Sequence, residues 1–405
     1  MKKKHVVVIG GGAGGCFAAI RAKELHPNYQ VTVLEKSQEL LQKVRISGGG
    51  RCNVTHACYD PDLLVEHYPR GGRYLLGGFY QFQPADMIAW LEEHGVALKT
   101  EADGRIFPVS DQSETIINCF MSRMHAHGIR YQLEAAVVDL QPPTSSDQGW
   151  MIALRNGQYL TADLVLVATG SSPQMWKILQ RLGYQVTPPV PSLFTFICAD
   201  ERLQGLAGIS LVVEASVVGE ALSEVGPLLI THRGLSAPAI LRLSAWGARV
   251  LHARRYRFTL KINFLPDHSE ERLLADLKAC QRNLSKKQLH SHRYQNLPGR
   301  LWKRLLLFAG IPEGQRWADL SKTQQQALAQ TLVSARFEIT GKNTFKDEFV
   351  TCGGLSLDEI DLRRMESKRH PGLFFSGEVM DVDAITGGFN FQHAWTSATI
   401  AATNF

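Results

Sequence analysis

The chain has 405 residues, 44% of them apolar and 20% charged, with a formal net charge of +6. Such a length is too great for one ordinary core and implies two or three domains, and the composition excludes long disordered stretches. The charge is too mild to argue for nucleic acid, and with no run of about 18 apolar residues a membrane span is not expected.

The first residues, Met1-Lys2-Lys3-Lys4 before Val6-Val7-Val8-Ile9, superficially resemble a signal peptide, but the apolar run is short and leads straight into glycines. Residues 5–9 read as a buried strand, 13–25 as a helix and 31–34 as a second strand, the βαβ unit of a parallel sheet. The turn Gly10-Gly11-Gly12-Ala13-Gly14-Gly15 fits the G-x-G-x-x-G pattern. It follows a strand and opens a helix, the context in which the pattern marks a dinucleotide site. Gly10 permits the tight turn, Gly12 lets backbone approach a pyrophosphate, Gly15 lets helix and strand pack closely, and the phosphates are expected at the helix N-terminus. Glu35, at the end of the second strand, is placed to accept hydrogen bonds from the adenosine ribose, and its charge would repel a 2′-phosphate. NAD and FAD both fit such a site.

The segment from Lys43 to Asn53, with Gly48-Gly49-Gly50-Arg51-Cys52, favours a flavin, because three successive glycines let backbone lie close to a long flat cofactor. Arg51 is read as reaching a phosphate or the flavin edge; the bland alternative is a glycine-rich surface loop. Residues 84–94 and 112–127 look helical. Residues 130–140 and 150–168 alternate like strands about a loop at 142–147, and Asp163 to Gly170 is a buried strand ending in a glycine turn.

Composition shifts at Pro188-Pro189-Val190-Pro191. Strands are expected over 194–197, 211–218, 228–231 and 256–264, helices over 269–335, and a returning strand over 337–340. The C-terminal run Gly372 to Ala394 reads as strand, glycine turn at Gly377-Glu378, loop, second glycine turn at Gly387-Gly388, and helix. Amides opening that helix, near Asn390 to Gln392, are expected to face the flavin pyrimidine, whose reduced form carries negative charge. The expected organisation is residues 1–190 as the first part of an FAD-binding domain, 191–267 an inserted β-rich domain, 268–335 a helical domain, 336–348 a return strand of the β-rich domain, and 349–405 the completion of the first domain.

With these pieces in order, the chain resembles the BaiN/YhiN-like flavoproteins, the NAD(P)/FAD-dependent oxidoreductase or aminoacetone oxidase family. The matching residues are Ile46 to Asn53, Gly104 to Pro108, Thr231 to Ala239, Thr351 to Gly354, Ser376 to Asp381 and Thr386 to Gln392. The resemblance implies an α/β fold: a glutathione-reductase-like Rossmann FAD domain with an inserted β-barrel and a small helical domain. It implies FAD contacts at Gly10, Gly12, Ala13, Gly14, Gly15, Glu35, Lys36, Lys43, Gly50, Arg51, Cys52, Asn53, Ala168, Thr169, Gly170, Gly377, Glu378, Gly387, Gly388, Phe389, Asn390, Phe391 and Gln392, with Val137 the backbone that meets adenine. Two departures stand out. Ala237 occupies a position where the family usually has glycine, and Ala384-Ile385 replaces a glycine-containing pair.

The seven cysteines include no Cys-x-x-Cys, which fits a reducing, cytoplasmic setting. Cys52 and Cys58 resemble the redox pair of flavin disulfide reductases but are one residue too far apart, so Cys52 is read as packing near the flavin. His232 is either a proton shuttle or a loop stabiliser. His393 is read as a core or surface residue, and no metal is expected. The basic residues look scattered, with short runs such as Arg254-Arg255 and Arg363-Arg364, and are read as solvated faces. The chemistry expected is hydride exchange between FAD and a small amine, ketone or enone. NAD(P)H is a transient donor or oxygen an acceptor, and a nucleic-acid partner is not expected. The alternative is a non-catalytic flavoprotein that senses redox state or binds a partner or nucleic acid.

Overall fold

The structure, a computed structural model, describes residues 3–145, 148–343 and 350–405. Its contacts divide the chain into one unit of Met1–Pro191 with Lys346–Phe405 and a second of Ser192–Phe345.

The first unit is built on a seven-stranded sheet. In spatial order its strands are Ile360–Asp361, Glu366–Ser367, Leu373–Phe375, Leu164–Val167, His5–Ile9, Gln30–Leu34 and Arg130–Gln132. We call His5–Ile9 β1, Gln30–Leu34 β2, Leu164–Val167 β3 and Leu373–Phe375 β4. The four pair in parallel: Val7 stands opposite Thr32 and Val165, and Val165 opposite Leu373. Val6 to Ile9 are buried, as expected for a strand covered on both faces. Because the strands are parallel, their carboxyl ends share one edge of the sheet, where α/β folds bind ligands.

Helix α1 (Ala13–Leu25) follows β1 and is buried on nearly every side, from Gly14 to Ala22. One side meets the C-terminal helix, Phe389–Thr403, whose residues Gln392 to Ala402 are also buried. Phe17 of α1 lies edge-on to Trp395 at 5.5 Å. The space where a Gly14 Cβ would stand is taken by Ser376 Oγ at 2.8 Å. The first and last segments of the chain therefore meet at one sheet edge, as the sequence reading requires.

The second unit holds another seven-stranded sheet, in the order 335–339, 258–263, 210–217, 223–230, 234–236, 195–197 and 341–343, all neighbours antiparallel. Its two outer strands are one stretch of chain broken only at Thr340. The return strand expected there is thus seen as Ala335–Ile339 and Gly341–Asn343, while residues 344–348 lie outside the described residues. Between 263 and 335 come three longer helices, α3 (Glu270–Asn283), α4 (Gly299–Phe308) and α5 (Lys322–Val333). The β-rich stretch also contains two helices not anticipated from sequence, α2 (Pro238–Trp246) and the short Ala248–Ala253; α2 starts with proline at its first turn, an ordinary helix-start signal.

Candidate functional site

The turn after β1 sets the geometry of the candidate site. Gly10 has φ +107°, and a Cβ there would lie 2.4 Å from the Ala168 carbonyl oxygen. A Cβ on Gly15 would stand 1.9 Å from the Gly10 carbonyl oxygen, so this glycine is what lets α1 rest on the turn. Gly12 differs: no atom lies within 4 Å of where its Cβ would be. It caps α1, whose first backbone bond runs from Cys16 N–H to the Gly12 carbonyl at 3.0 Å. The amides ahead of Cys16 have no partner within the helix, and the backbone at Gly12 borders open space, which suits an anion.

Glu35 braces this turn. One carboxylate oxygen accepts the Gly11 N–H at 2.7 Å and the other the Ser37 N–H at 2.9 Å. Each oxygen keeps a further lone pair for a hydroxyl. A pocket of about 170 Å³ opens beside it, lined by Gly10, Glu35, Lys36, Val137 and Thr169 among others. Five residues singled out from sequence at four separate places thus share one cavity. Arg155, Gln174 and Met175 also line it and were not anticipated. Ser172-Pro173, directly after the Thr169-Gly170 turn, was the available signal for the last two: Ser172 caps the helix Pro173–Arg181 by accepting the Met175 N–H. Nothing in the local pattern marks Arg155.

The C-terminal segment supplies a second set of groups. Gly377 follows β4 with φ +72°, and its N–H is held by Ser397 Oγ at 3.0 Å. Glu378 bonds Lys43 at 2.7 Å and accepts the Thr351 N–H at 2.9 Å, tying three distant stretches together. Gly387 and Gly388 both have positive φ, and Gly388 caps the last helix. There the Gln392 N–H already bonds the Gly388 carbonyl, so the helix-opening amides are those of Phe389, Asn390 and Phe391. Asn390 also serves its own loop, accepting the Ala384 N–H and donating to the Ala384 carbonyl, each at 3.0 Å. Buried Gln392 accepts from Thr55 Oγ1 at 2.7 Å. Phe389 stacks on His56 and His67, and Phe391 on Trp395.

Arg51 is engaged within the protein, 2.6 Å from Glu101 and 3.4 Å from Asp111, over the Phe107 ring. Cys52 is buried with φ +60°, and burial pushes its thiol up to about 12, leaving it protonated and poorly reactive. Neither Cys52 nor Cys58 is in a disulfide. Asn53 is buried with its side-chain oxygen unpartnered in the protein, and Gly49 and Gly50 border open space. An orphaned acceptor and open glycines are what a cradle awaiting a polar group presents. His393 is a core residue: burial pushes its imidazole down to about 4, partly offset by the Gly377 backbone. His232 lies in the second unit, exposed in a turn where Thr231 Oγ1 accepts the N–H groups of Arg233 and Gly234.

Comparison with known proteins now adds to this geometry. The model of the HI0933-like protein Rossmann domain matches residues 4–404. A ribosomal RNA dihydrouridine synthase of Escherichia coli (strain K12) is 31% identical, over 99% of this chain and 98% of the relative. A 3-dehydro-bile acid delta(4,6)-reductase of Clostridium scindens is 26% identical, over 98% of each. Among solved structures, a 3-ketosteroid-delta4-(5alpha)-dehydrogenase from Rhodococcus jostii RHA1 superposes with a TM-score of 0.52 at 16% identity, covering 99% of this chain and 97% of that one, a likeness of fold.

Proposed function

We propose a substrate for a chain that belongs to the HI0933-like Rossmann family and is, with that family, an FAD-dependent oxidoreductase: uridine in ribosomal RNA, reduced at its ring C=C bond. The observation that carries this reading is the 31% identity to the dihydrouridine synthase over essentially the whole of both chains. The bile acid relative supports the same reaction type. Dihydrouridine is uridine with hydrogen added across C5 and C6, a bond conjugated to the C4 carbonyl. A delta(4,6) bond system beside a 3-oxo group is conjugated in the same way. A small cyclic enone is the second reading, favoured by that relative.

The residues fit FAD. The helix-opening amides of Ala13, Gly14 and Gly15 beside the open backbone of Gly12 suit the diphosphate, and Glu35 with the pocket lined by Lys36, Val137 and Thr169, between Ala168 and Gly170, suits the adenosine. The helix opening at Gly387 to Phe391 suits the pyrimidine edge of the flavin, where a helix N-terminus stabilises negative charge. Lys43, Gly50 to Asn53, Gly377, Glu378 and Gln392 complete the assigned wall. When bound, FAD supplies the hydride chemistry. The protein must also deliver a proton to the second carbon, and His232 is proposed as its carrier, because an imidazole has one nitrogen to take up a proton and another to release one. NAD(P)H is proposed as a transient donor. The second unit is read as a barrel, the stretch through Thr340 joining its two outer strands, with the helical segment inserted in it.

The test is anaerobic. Protein reduced with NADPH is mixed with ribosomal RNA from cells lacking this gene, and with 4-androstene-3,17-dione as the small enone. Flavin reoxidation by RNA together with uridines two mass units heavier is expected; reoxidation by the enone alone would transfer the assignment to the second reading. Gly12→Ala should leave the circular dichroism unchanged while lowering bound flavin at least about tenfold, since the new methyl meets only the space assigned to the diphosphate.

A further inference from the structure

The net charge of the chain is not spread along it. Residues 268–335 carry eleven Lys and Arg against five Asp and Glu, a surplus of six that equals the +6 of all 405 residues. The remainder of the chain is balanced. The scattering read from short basic runs therefore conceals one electropositive segment.

The fold keeps these charges at the surface. The longer helices use leucine and tryptophan to face each other; in α4, Leu301, Trp302, Leu305 and Leu306 are fully buried. The opposite face of α4 carries Arg300, Lys303, Arg304 and Leu307, at the i, i+3, i+4 and i+7 spacing of one helical stripe. Leu307 and the adjacent Phe308 are 55% and 46% exposed. A second group forms beside it. The stretch containing Lys286 and Lys287 runs antiparallel to the one containing Arg316, with Gln288 bridged to Arg316 and the Trp317 N–H on the Lys287 carbonyl at 2.9 Å. All three cations are exposed. The Trp302 indole N–H bonds the Leu289 carbonyl at 2.8 Å, so α4 is fixed against the turn that follows Lys286-Lys287.

None of these eleven cations pairs with a carboxylate among the described residues; where their side chains bond at all, as in Arg272, Arg300 and Arg304, the partner is a backbone carbonyl. Cations recruited for stability would have acidic neighbours. The other eight have no side-chain partner among the described residues, which leaves them open to an anion from outside.

We infer that the helical segment over 268–335 is an RNA-docking surface, in which Lys286, Lys287 and Arg316 and the outer stripe of α4 track phosphates while Phe308 offers an aromatic face for a base. This rests on the reading of RNA as substrate. Phosphate contacts by Lys and Arg set position and affinity, and an exposed ring adds stacking that tolerates any base. An anionic membrane is the weaker fit, because membrane-lying helices need a broad apolar face and that of α4 is spent in the core, leaving Leu307 and Phe308 alone.

The test uses the full, FAD-loaded protein, with protein-free ribosomal RNA and phosphatidylglycerol vesicles as probes, from about 50 to 200 mM salt. Two variants are compared with wild type: Lys286→Gln with Lys287→Gln and Arg316→Gln, and Arg300→Gln with Lys303→Gln. Each should weaken RNA binding at least about tenfold and flatten the dependence of log K on log salt by about one unit per cation removed, with flavin content unchanged. Arg363→Gln with Arg364→Gln, outside the segment, should bind RNA as wild type does. If wild type binds RNA and forms dihydrouridine but the segment variants match it, or the control variant weakens equally, the docking surface is wrong and the substrate reading stands. If wild type neither binds nor modifies RNA, both fall. Binding to vesicles but not RNA, lost in the same variants, would assign the surface to a membrane instead.

Discussion

The first unit and the helical segment of the second handle charge in opposite ways. In the first unit, cations are tied inward: Arg51 to Glu101, Arg45 to Glu114, Lys43 to Glu378 and Arg70 to Asp383, each pair joining stretches far apart in sequence. In the helical segment the cations are denser, eleven in 68 residues against 23 in the 251 of the first unit, and have no acidic partners among the described residues. The first arrangement fixes a loop-rich cradle. The second leaves affinity for something outside. Net charge alone hides the difference, because the first unit, with 23 cations and 26 acids, sums to −3 and masks part of the second unit's surplus.

The comparison breaks most visibly at Arg70. Asp383 is fully buried and Arg70 partly so, and their contact holds the loop between β4 and the last helix. Arg70→Met would leave a buried carboxylate without its guanidinium, which typically costs ~3–5 kcal/mol. Urea unfolding followed by the fluorescence of the first unit should show that loss, whereas the triple neutralisation at Lys286, Lys287 and Arg316 should shift the midpoint hardly at all. Equal shifts in the two variants would erase the distinction between structural and docking charge.

A smaller effect sharpens the same contrast through pH. His393 is buried in the first unit, and burial lowers its imidazole from 6.5 to about 4. Between those values the unfolded chain binds a proton that the folded chain refuses, so stability rises with pH there. The contribution is fully present above pH 6.5 and is lost progressively as pH falls toward 4, on the order of 3 kcal/mol at the acid end. His393→Leu should flatten that part of the profile, measured by urea unfolding from pH 7 to 4.5. Parallel profiles for wild type and variant would mean that His393 is not the group responsible.

Much of the cradle was legible in sequence because local rules there agree with the fold. A β-branched run, a glycine turn and an apolar helix give β1, its turn and α1 with their observed bounds, and the acid after β2 follows from the same unit. Other features were legible as residues but not as contacts. Glu35 was read as a ribose acceptor, and it also braces the glycine turn, so removing it disturbs the turn as well as any ligand. Arg51 was read toward the cofactor, yet Glu101 and Asp111, fifty and sixty residues on, hold it. Such pairings arise from tertiary geometry and leave no periodic mark. The cationic segment was missed for another reason: its basic residues fall at helical spacing in α4 and singly or in pairs elsewhere, not in long runs, and only their count against the acids of the same stretch reveals them.

The smallest expected effect concerns Ala237, which stands where glycine is usual in the family it resembles. It precedes the helix Pro238–Trp246 and has φ +79° and ψ +175°. That combination lies in a region essentially reserved for glycine, and holding another residue there costs of order 1–3 kcal/mol. Ala237→Gly relieves the strain but gives the unfolded chain more freedom, an opposing effect of ~0.4–1 kcal/mol. The balance is a gain of about 1 kcal/mol, read as a higher urea midpoint for the second unit. RNA affinity should not change, since Ala237 lies outside the cationic segment. A variant no more stable than wild type would mean that the backbone at this turn relaxes to accommodate alanine, and the familial glycine would then need a reason other than conformation.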